Sequence, residues 1–197
     1  MSVNEAFIKK VFERVVEYKP RLAAFMDEDD DMYDVRELAN NISKTYPWPI
    51  GVEVRRLLSG NMEDLNRGRI DQIFKTIERT MQFLSFVLVI QLLEHKLKND
   101  LDIPDNFKKE FTRRFTTTTM GNFVWLIRSI SDIMQKNDIK PFMEEMTDIF
   151  NKKFLGKLDF WTPQRNELGH YQINLSDEEI EVRCHEYMDL LGDILAD

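Results

Sequence analysis

Apolar residues recur at three- and four-residue intervals along most of the chain, which is the period of one face of an α-helix. The clearest stretch runs from residue 62 to residue 98. It contains seven apolar positions at this spacing: Ile70, Ile73, Phe74, Ile77, Met81, Leu84 and Leu88. A second stripe, between residues 121 and 136, comprises Phe123, Leu126, Ile127, Ile130 and Met134. No convincing strand alternation is present, so the pattern predicts an all-α fold.

Proline, glycine and capping residues divide this pattern into helices. Pro20 ends the first helix, Pro104 opens a central one, and Ser176-Asp177-Glu178-Glu179 fits a capping box at the start of the last. The first five predicted helices span residues 4–18, 33–44, 62–98, 105–115 and 121–136. Three more follow. One starts at Pro141 and includes Phe154, one is capped by Thr162 with Pro163 at its first position, and the last runs from Asp177 to near Leu195.

The rigid sequence Pro47-Trp48-Pro49 is a natural place for a domain boundary. It divides the chain into an N-terminal helical extension, residues 1–46, and a main helical bundle, residues 47–197. Between the first two helices, residues 27–31 form an acidic run. This run is typical of a solvated linker, because it lacks the spaced ligands and the glycine of a calcium loop.

Composition narrows the classes of function. The chain has 197 residues, 43% of them hydrophobic, and a net charge of -8. Such an acidic chain is a poor non-specific binder of duplex nucleic acid, which requires a basic face. Cys184 is the single cysteine, so no intramolecular disulfide forms and a reducing, cytoplasmic location is favoured. The pair Cys184 and His185 does not indicate a metal site. The sequence contains no phosphate-loop motif, so nothing in it indicates another cofactor either.

The most apolar run is 83–93. It is shorter than the roughly 20 residues that span a bilayer, and charged residues flank it. We therefore expect no membrane segment. The run is better explained as a helix that is buried on all sides, either at the centre of a bundle or at a dimer interface.

The segment that carries chemistry is Arg165-Asn166-Glu167-Leu168-Gly169-His170, just after Thr162-Pro163. If a helix starts at Pro163, Asn166 and His170 lie one turn apart on the same face, with Arg165 beside Asn166. An imidazole moves protons near neutral pH, and a guanidinium binds a phosphate and stabilises its developing charge. The segment therefore predicts cleavage of a phosphodiester bond.

Arg165-Asn166 and His170 resemble the Arg-x(4–6)-His motif of HEPN domains (higher eukaryotes and prokaryotes nucleotide-binding). Residues 78–84, a Glu before an apolar run, and residues 119–125 are similar to further segments of bacterial HEPN-like domains. The resemblance covers about residues 47–196 and does not include the N-terminal extension.

The resemblance implies a HEPN-like bundle of four to five core helices that forms a homodimer. It also implies a metal-independent endoribonuclease, cytoplasmic and without cofactors, that acts in bacterial defence or in a toxin–antitoxin pair with a partner protein. Arg165 and His170 would be the catalytic pair, and Asn166 would orient them. The alternative is a catalytically inactive HEPN-like interaction or signalling module, in which these residues form a buried network between helices.

Several further residues are weaker candidates. Glu78 either faces the site and pairs with Arg165 or is an ordinary surface residue. Tyr171 either stacks on an RNA base or packs in the core. A basic cluster on the helix 105–115 is either an RNA track or, with more weight, a solvated face; it consists of Lys108, Lys109, Arg113 and Arg114.

Overall fold

The computed structural model describes residues 2–26, 35–142, 146, 151–170 and 175–196. In these ranges the chain forms eight α-helices and no β-strand, so the prediction of an all-α protein is confirmed. The helices are α1 (Val3–Tyr18), α2 (Val35–Thr45), α3 (Trp48–Leu57), α4 (Arg67–Asn99), α5 (Asp105–Phe115), α6 (Met120–Lys136), α7 (Lys152–His170) and α8 (Asp177–Ala196). Two 3₁₀ turns, Pro20–Met26 and Gly60–Met62, complete the regular structure.

The chain divides into two compact units. One comprises the described residues of Met1–Arg79 and Gln172–Asp197, and the other those of Thr80–Tyr171. The long helix α4 belongs to the first unit up to Arg79 and to the second from Thr80 onward. A compact unit is a set of residues that contact one another, and it need not coincide with a domain. The predicted domain boundary between residues 46 and 47 therefore stays a prediction.

In the first unit, α1 packs against α8 and α2, and α2 packs against α3. The sequence predicts an apolar stripe on α1, of which four positions are buried and the fifth, Val16, is half-buried. The buried positions are Phe7, Val11, Phe12 and Val15. Helices α1 and α8 are also joined by an ion pair, in which Lys10 Nζ lies 2.8 Å from a carboxylate oxygen of Asp189. This unit therefore unites the first and last helices of the chain.

In the second unit, α6 packs against α5 and α7. Stacked and edge-on aromatic rings link α5 to α6 and to the second half of α4. These rings belong to Phe86, Phe107, Phe111, Phe115, Phe123 and Trp125. All five apolar positions predicted to face inward on α6 are buried.

Two helix starts illustrate how capping sets the boundaries. The predicted capping box at Ser176 is confirmed, because Ser176 N–H donates to Glu179 Oε2 at 2.8 Å and Glu179 N–H donates to Ser176 Oγ at 3.2 Å. The predicted start of the long helix at Met62 is wrong. Asn66 Oδ1 accepts the N–H of Arg69 at 3.1 Å, so α4 begins at Arg67, where this cap places it.

Within one chain the apolar run 83–93 is not buried on all sides, so burial at the centre of a bundle does not explain it, and the dimer interface stays a prediction. All seven predicted inward positions of α4 are buried. On its C-terminal part, however, Ile90, Leu93 and Leu97 are 66%, 50% and 85% exposed. Their spacing places them along one side of the helix. The second unit thus presents an apolar stripe formed by these three residues.

Among the described helices, α4 alone is long and apolar enough to cross a membrane by length and composition. Of its most apolar 18-residue window, 56% is buried inside the protein. Core helices of soluble proteins show the same combination, so length and composition by themselves carry no membrane assignment.

Candidate functional site

The candidate catalytic segment lies on α7, which begins earlier than predicted. Asn151 Oδ1 accepts the N–H of Phe154 at 2.8 Å, and the helix runs without interruption from Lys152 to His170 with Pro163 inside it. The helix start predicted at Thr162 is therefore wrong, and Phe154 belongs to α7 rather than to a helix from Pro141. Most of that predicted helix, residues 143–145 and 147–150, lies outside the described residues.

Burial explains why the helix already includes the residues before Pro163. Phe154, Leu158 and Trp161 follow one another at four- and three-residue spacing and are 2%, 0% and 1% exposed. Burying each such side chain contributes about 1.5–3 kcal/mol. An internal proline costs about 3 kcal/mol, because it lacks the N–H and its ring clashes with the preceding turn. The buried stripe therefore outweighs the local preference for a helix start at this proline.

Replacing Pro163 with alanine distinguishes a proline inside the helix from one in the first turn of a helix. Inside a helix, Pro163→Ala is expected to raise the free energy of unfolding by about 1–3 kcal/mol. Urea unfolding followed by circular dichroism measures the change. Pro49→Ala is the matched control, since Pro49 lies in the first turn of α3, where proline is well tolerated. An unchanged or lowered stability of Pro163→Ala would instead indicate a first-turn position.

Arg165 and Asn166 are both exposed on α7. Position 170 is the last residue of the helix, one turn beyond Asn166, as expected from the i, i+4 spacing. Among the described residues, neither Arg165 nor Asn166 makes a hydrogen bond or an ion pair. The side chain of His170 lies outside the described set, and so does Tyr171. Arg165 and Asn166 are therefore available to a ligand rather than tied into a buried network.

The segment lies at the C-terminal end of its helix, not in the first turn as predicted. The helix dipole places partial negative charge at this end, which favours cations and disfavours anions. The positive end of α7, at Lys152, is about four turns away from Arg165. Binding of a phosphate here would therefore depend on the guanidinium, without help from the helix N-terminus.

Arg128 of α6 fixes the N-terminal half of α7. Its guanidinium donates to the backbone oxygen of Leu155 at 2.9 Å and to the carboxylate of Asp159. These contacts, together with the buried stripe, hold the helix that carries Arg165 against α6. The supporting helix is therefore anchored, while the candidate residues themselves project to solvent.

The basic cluster on α5 is largely paired with acids on the same helix. Lys108 lies 2.9 Å from Asp105, and Arg113 and Arg114 lie 2.6 and 3.1 Å from the same carboxylate oxygen of Glu110. Exposed pairs of this kind stabilise a helix only slightly. They nevertheless lower the positive charge offered to RNA, and so favour a solvated face.

Lys109 and Arg114 differ from each other within that cluster. Lys109 is exposed and makes no ion pair among the described residues. The Arg114 guanidinium lies over the ring of Trp125, 5.0 Å from its centroid, and donates to Asn122 Oδ1 at 3.1 Å. Arg114 therefore has a structural role between α5 and α6, which its sequence position did not indicate.

Residues 119–125, one of the segments that resembles HEPN-like domains, begin α6. Thr119 is its N-cap and accepts the N–H of Asn122 at 3.3 Å. The Asn122 amide donates in turn to the backbone oxygen of Arg114 at 3.2 Å, at the end of α5. This segment connects two helices and contributes no exposed reactive group.

Glu78 is half-buried on the part of α4 that belongs to the first unit, whereas Arg165 belongs to the second. Among the described residues it makes no hydrogen bond or ion pair. Its pairing with Arg165 stays a prediction.

Cys184 is fully buried, as predicted for a structural cysteine, and its Sγ lies 3.7 Å from the backbone oxygen of Asn66. Burial raises the pKa of the thiol to about 11. The adjacent His185 is exposed, so the two side chains face different sides of α8. Within the described residues, no group of three His, Cys, Asp or Glu side chains is placed to hold a metal ion. The acidic run 27–31 lies outside them.

Comparison of the chain with protein-family models, with curated proteins and with solved structures finds no match.

Proposed function

We propose that the chain is a metal-independent endoribonuclease of the HEPN type. The observation that carries this proposal is the placement of Arg165 and Asn166, exposed and unpaired among the described residues, on the helix that ends at His170. A guanidinium and an imidazole are sufficient for RNA cleavage, because the nucleophile is part of the substrate. The proposed setting is bacterial defence or a toxin–antitoxin pair in the cytoplasm.

In the proposed reaction, the RNA 2′-oxygen attacks the adjacent phosphorus. The bond from phosphorus to the 5′-oxygen breaks, leaving a 2′,3′-cyclic phosphate and a free 5′-hydroxyl. His170 takes the proton from the 2′-hydroxyl or supplies one to the departing 5′-oxygen. Arg165 stabilises the negative charge on the phosphorane oxygens, and Asn166 orients the pair. DNA lacks the 2′-hydroxyl and would not be cleaved.

A homodimer is part of the proposal, because two copies bring two Arg165–His170 pairs together. The exposed stripe of Ile90, Leu93 and Leu97 supports a second copy, since its three- and four-residue spacing is that of a helix–helix seam. The four helical segments of the second unit, from α4 to α7, support a HEPN-like bundle of four to five core helices.

The second candidate is a catalytically inactive HEPN-like interaction or signalling module. The observation that favours it is the α5 cluster, in which Lys108, Arg113 and Arg114 are paired with acids. An acidic protein whose cations are locally neutralised holds RNA weakly. In that case Arg165 and Asn166 would contact a partner protein.

Cleavage of end-labelled RNA in excess EDTA tests the proposal. The wild-type chain should leave 2′,3′-cyclic phosphate ends, and a substrate with a single 2′-deoxy nucleotide at the mapped cleavage position should resist. A parallel preparation carrying both Arg165→Ala and His170→Ala controls for contaminating nucleases. Cleavage of the deoxy substrate, or equal cleavage by the double variant, would refute the proposal. Absence of cleavage by the wild-type chain would favour the interaction module.

A further inference from the structure

A cavity of about 540 Å³ lies in the first unit, remote in sequence from the candidate catalytic segment. The starts of α1, α2 and α4 line it, together with His185 of α8. Its volume is in the range of small-molecule sites. Its walls are partly apolar, at Ile8, Val35 and Leu58.

Arg69, which lines this cavity, is a buried cation. It is only 1% exposed. Its guanidinium donates to the backbone oxygen of Met62, to that of Glu63 at 3.2 Å and to Asn4 Oδ1. Its Nε is buried and has no hydrogen-bond partner. All three of these acceptors are neutral, so none of them is a counter-ion for the guanidinium.

No carboxylate among the described residues forms an ion pair with Arg69. Glu63, whose charge acts on the guanidinium, lies beyond ion-pair distance. The neighbouring Cys184 thiol is neutral near pH 7, because burial raises its pKa to about 11. Burial lowers the pKa of Arg69, as expected for a cation that is removed from water. A buried charge without a counter-ion is costly, and an anion in the cavity would offset that cost.

The remaining charges of the cavity also favour an anion. The lining contains two arginines, Arg36 and Arg69, and two glutamates, Glu5 and Glu63, so their formal charges sum to zero. Glu5, however, is engaged by its own helix cap, where its carboxylate accepts the N–H of Ser2 at 2.6 Å. Since Glu5 already compensates the start of α1, the starts of α2 and α4 add the remaining partial positive charge, about half an elementary charge each.

We propose that this cavity binds a small organic anion, whose phosphate or carboxylate group contacts Arg36 and is attracted by the buried charge of Arg69, and whose apolar body packs between α1, α2 and the segment before α4. The helical extension, residues 1–46, thereby acquires a role, because α1 and α2 supply two walls of the site. The site is independent of the proposed nuclease and does not require it.

NMR titration of the ¹⁵N-labelled full-length chain tests the proposal with three probes that share one ring: phenyl phosphate, benzoate and benzyl alcohol. At least one anion should shift the backbone amides around the cavity and saturate, whereas the neutral alcohol should not. The tighter of the two anions identifies the head group. Failure of both anions to bind at millimolar concentration, or shifts scattered over the surface, would overturn the proposal.

Two variants locate the binding without removing the buried Arg69. Arg36→Gln should weaken binding about tenfold, because it removes an exposed cation at the cavity. Ala39→Leu should abolish binding by filling space on the α2 wall, while leucine retains a high helix propensity. Arg55→Gln, an exposed arginine of α3 outside this cavity, is the matched control and should bind as the wild type does. Unchanged affinity in the two cavity variants would refute the assignment.

Discussion

Replacing His170 with alanine is expected to lower the RNA cleavage rate by about 10²–10⁴-fold, the range that general acid–base groups contribute. Arg165→Ala is expected to cost about 10²–10³-fold, because a positioned donor to the developing charge is lost. The folded state should not change for Arg165→Ala, since its side chain is exposed and makes no contact to a described partner. Single-turnover cleavage in EDTA, with thermal unfolding of each variant alongside, measures both quantities.

Arg165→Lys separates charge from geometry in this prediction. Lysine keeps the positive charge but loses the planar fork that binds two phosphate oxygens, so it should recover only part of the lost rate. The matched control is Arg55→Ala, another exposed arginine, which should cleave as the wild type does. If Arg165→Ala cleaves at the wild-type rate, Arg165 has no catalytic role and the motif is a chance match.

Replacing Trp161 with alanine is expected to lower the free energy of unfolding by about 3–5 kcal/mol, which is typical of removing a buried large aromatic side chain. Trp161 is 1% exposed and belongs to the buried stripe of α7 that precedes Pro163. Its loss removes both the buried area and the packing that compensates for the proline. Urea unfolding followed by circular dichroism gives the change.

Trp48→Ala is the matched control for this substitution. Trp48 lies on α3 and is 79% exposed, so its removal should change the stability by no more than about 0.5 kcal/mol. Equal effects of the two substitutions would mean that the buried stripe does not hold α7. The helical position of Arg165 would then need another explanation.

The apolar period predicted much of the fold because burial and period coincide in amphipathic helices. The stripe of α6 was located residue by residue, and that of α1 at four of its five positions. The bounds of α5 were predicted correctly from Pro104 and the polar break after Phe115. The Ser176 capping box was equally informative, since it depends on neighbouring residues alone. Local chemistry of this kind is visible in a single sequence.

The error on α7 arose because tertiary burial overrode a local signal. Thr162-Pro163 has the composition of a helix start, but Asn151 caps a helix that begins at Lys152. The burial of Leu158 and Trp161 before the proline favours this earlier start.

The errors on α4 have other causes. Its start was placed at Met62 although Asn66 is a local cap, and its apolar run did not show which side the rest of the chain would cover. Periodicity identifies a buried face but does not show where neighbouring helices end.

The cavity of the first unit could not be predicted either. Arg69 precedes the apolar stripe of α4 and has the sequence context of an ordinary surface arginine. Its burial arises because residues distant in sequence, Asn4 among them, meet it at the helix start. A functional residue of this kind has no local signature, unlike the compact segment from Arg165 to His170.

The pairing of α1 with α8 has a consequence for biosynthesis. The ribosome makes α1 well before α8, and at ~5–20 residues per second the interval between them is roughly 10–35 s. During that interval the side of α1 that α8 covers in the folded chain, which includes Phe7, has no native cover. The segment Thr80–Tyr171 is continuous and is complete before α8 is made. A nascent chain of this protein would therefore expose the apolar side of α1 to chaperones until α8 has been made.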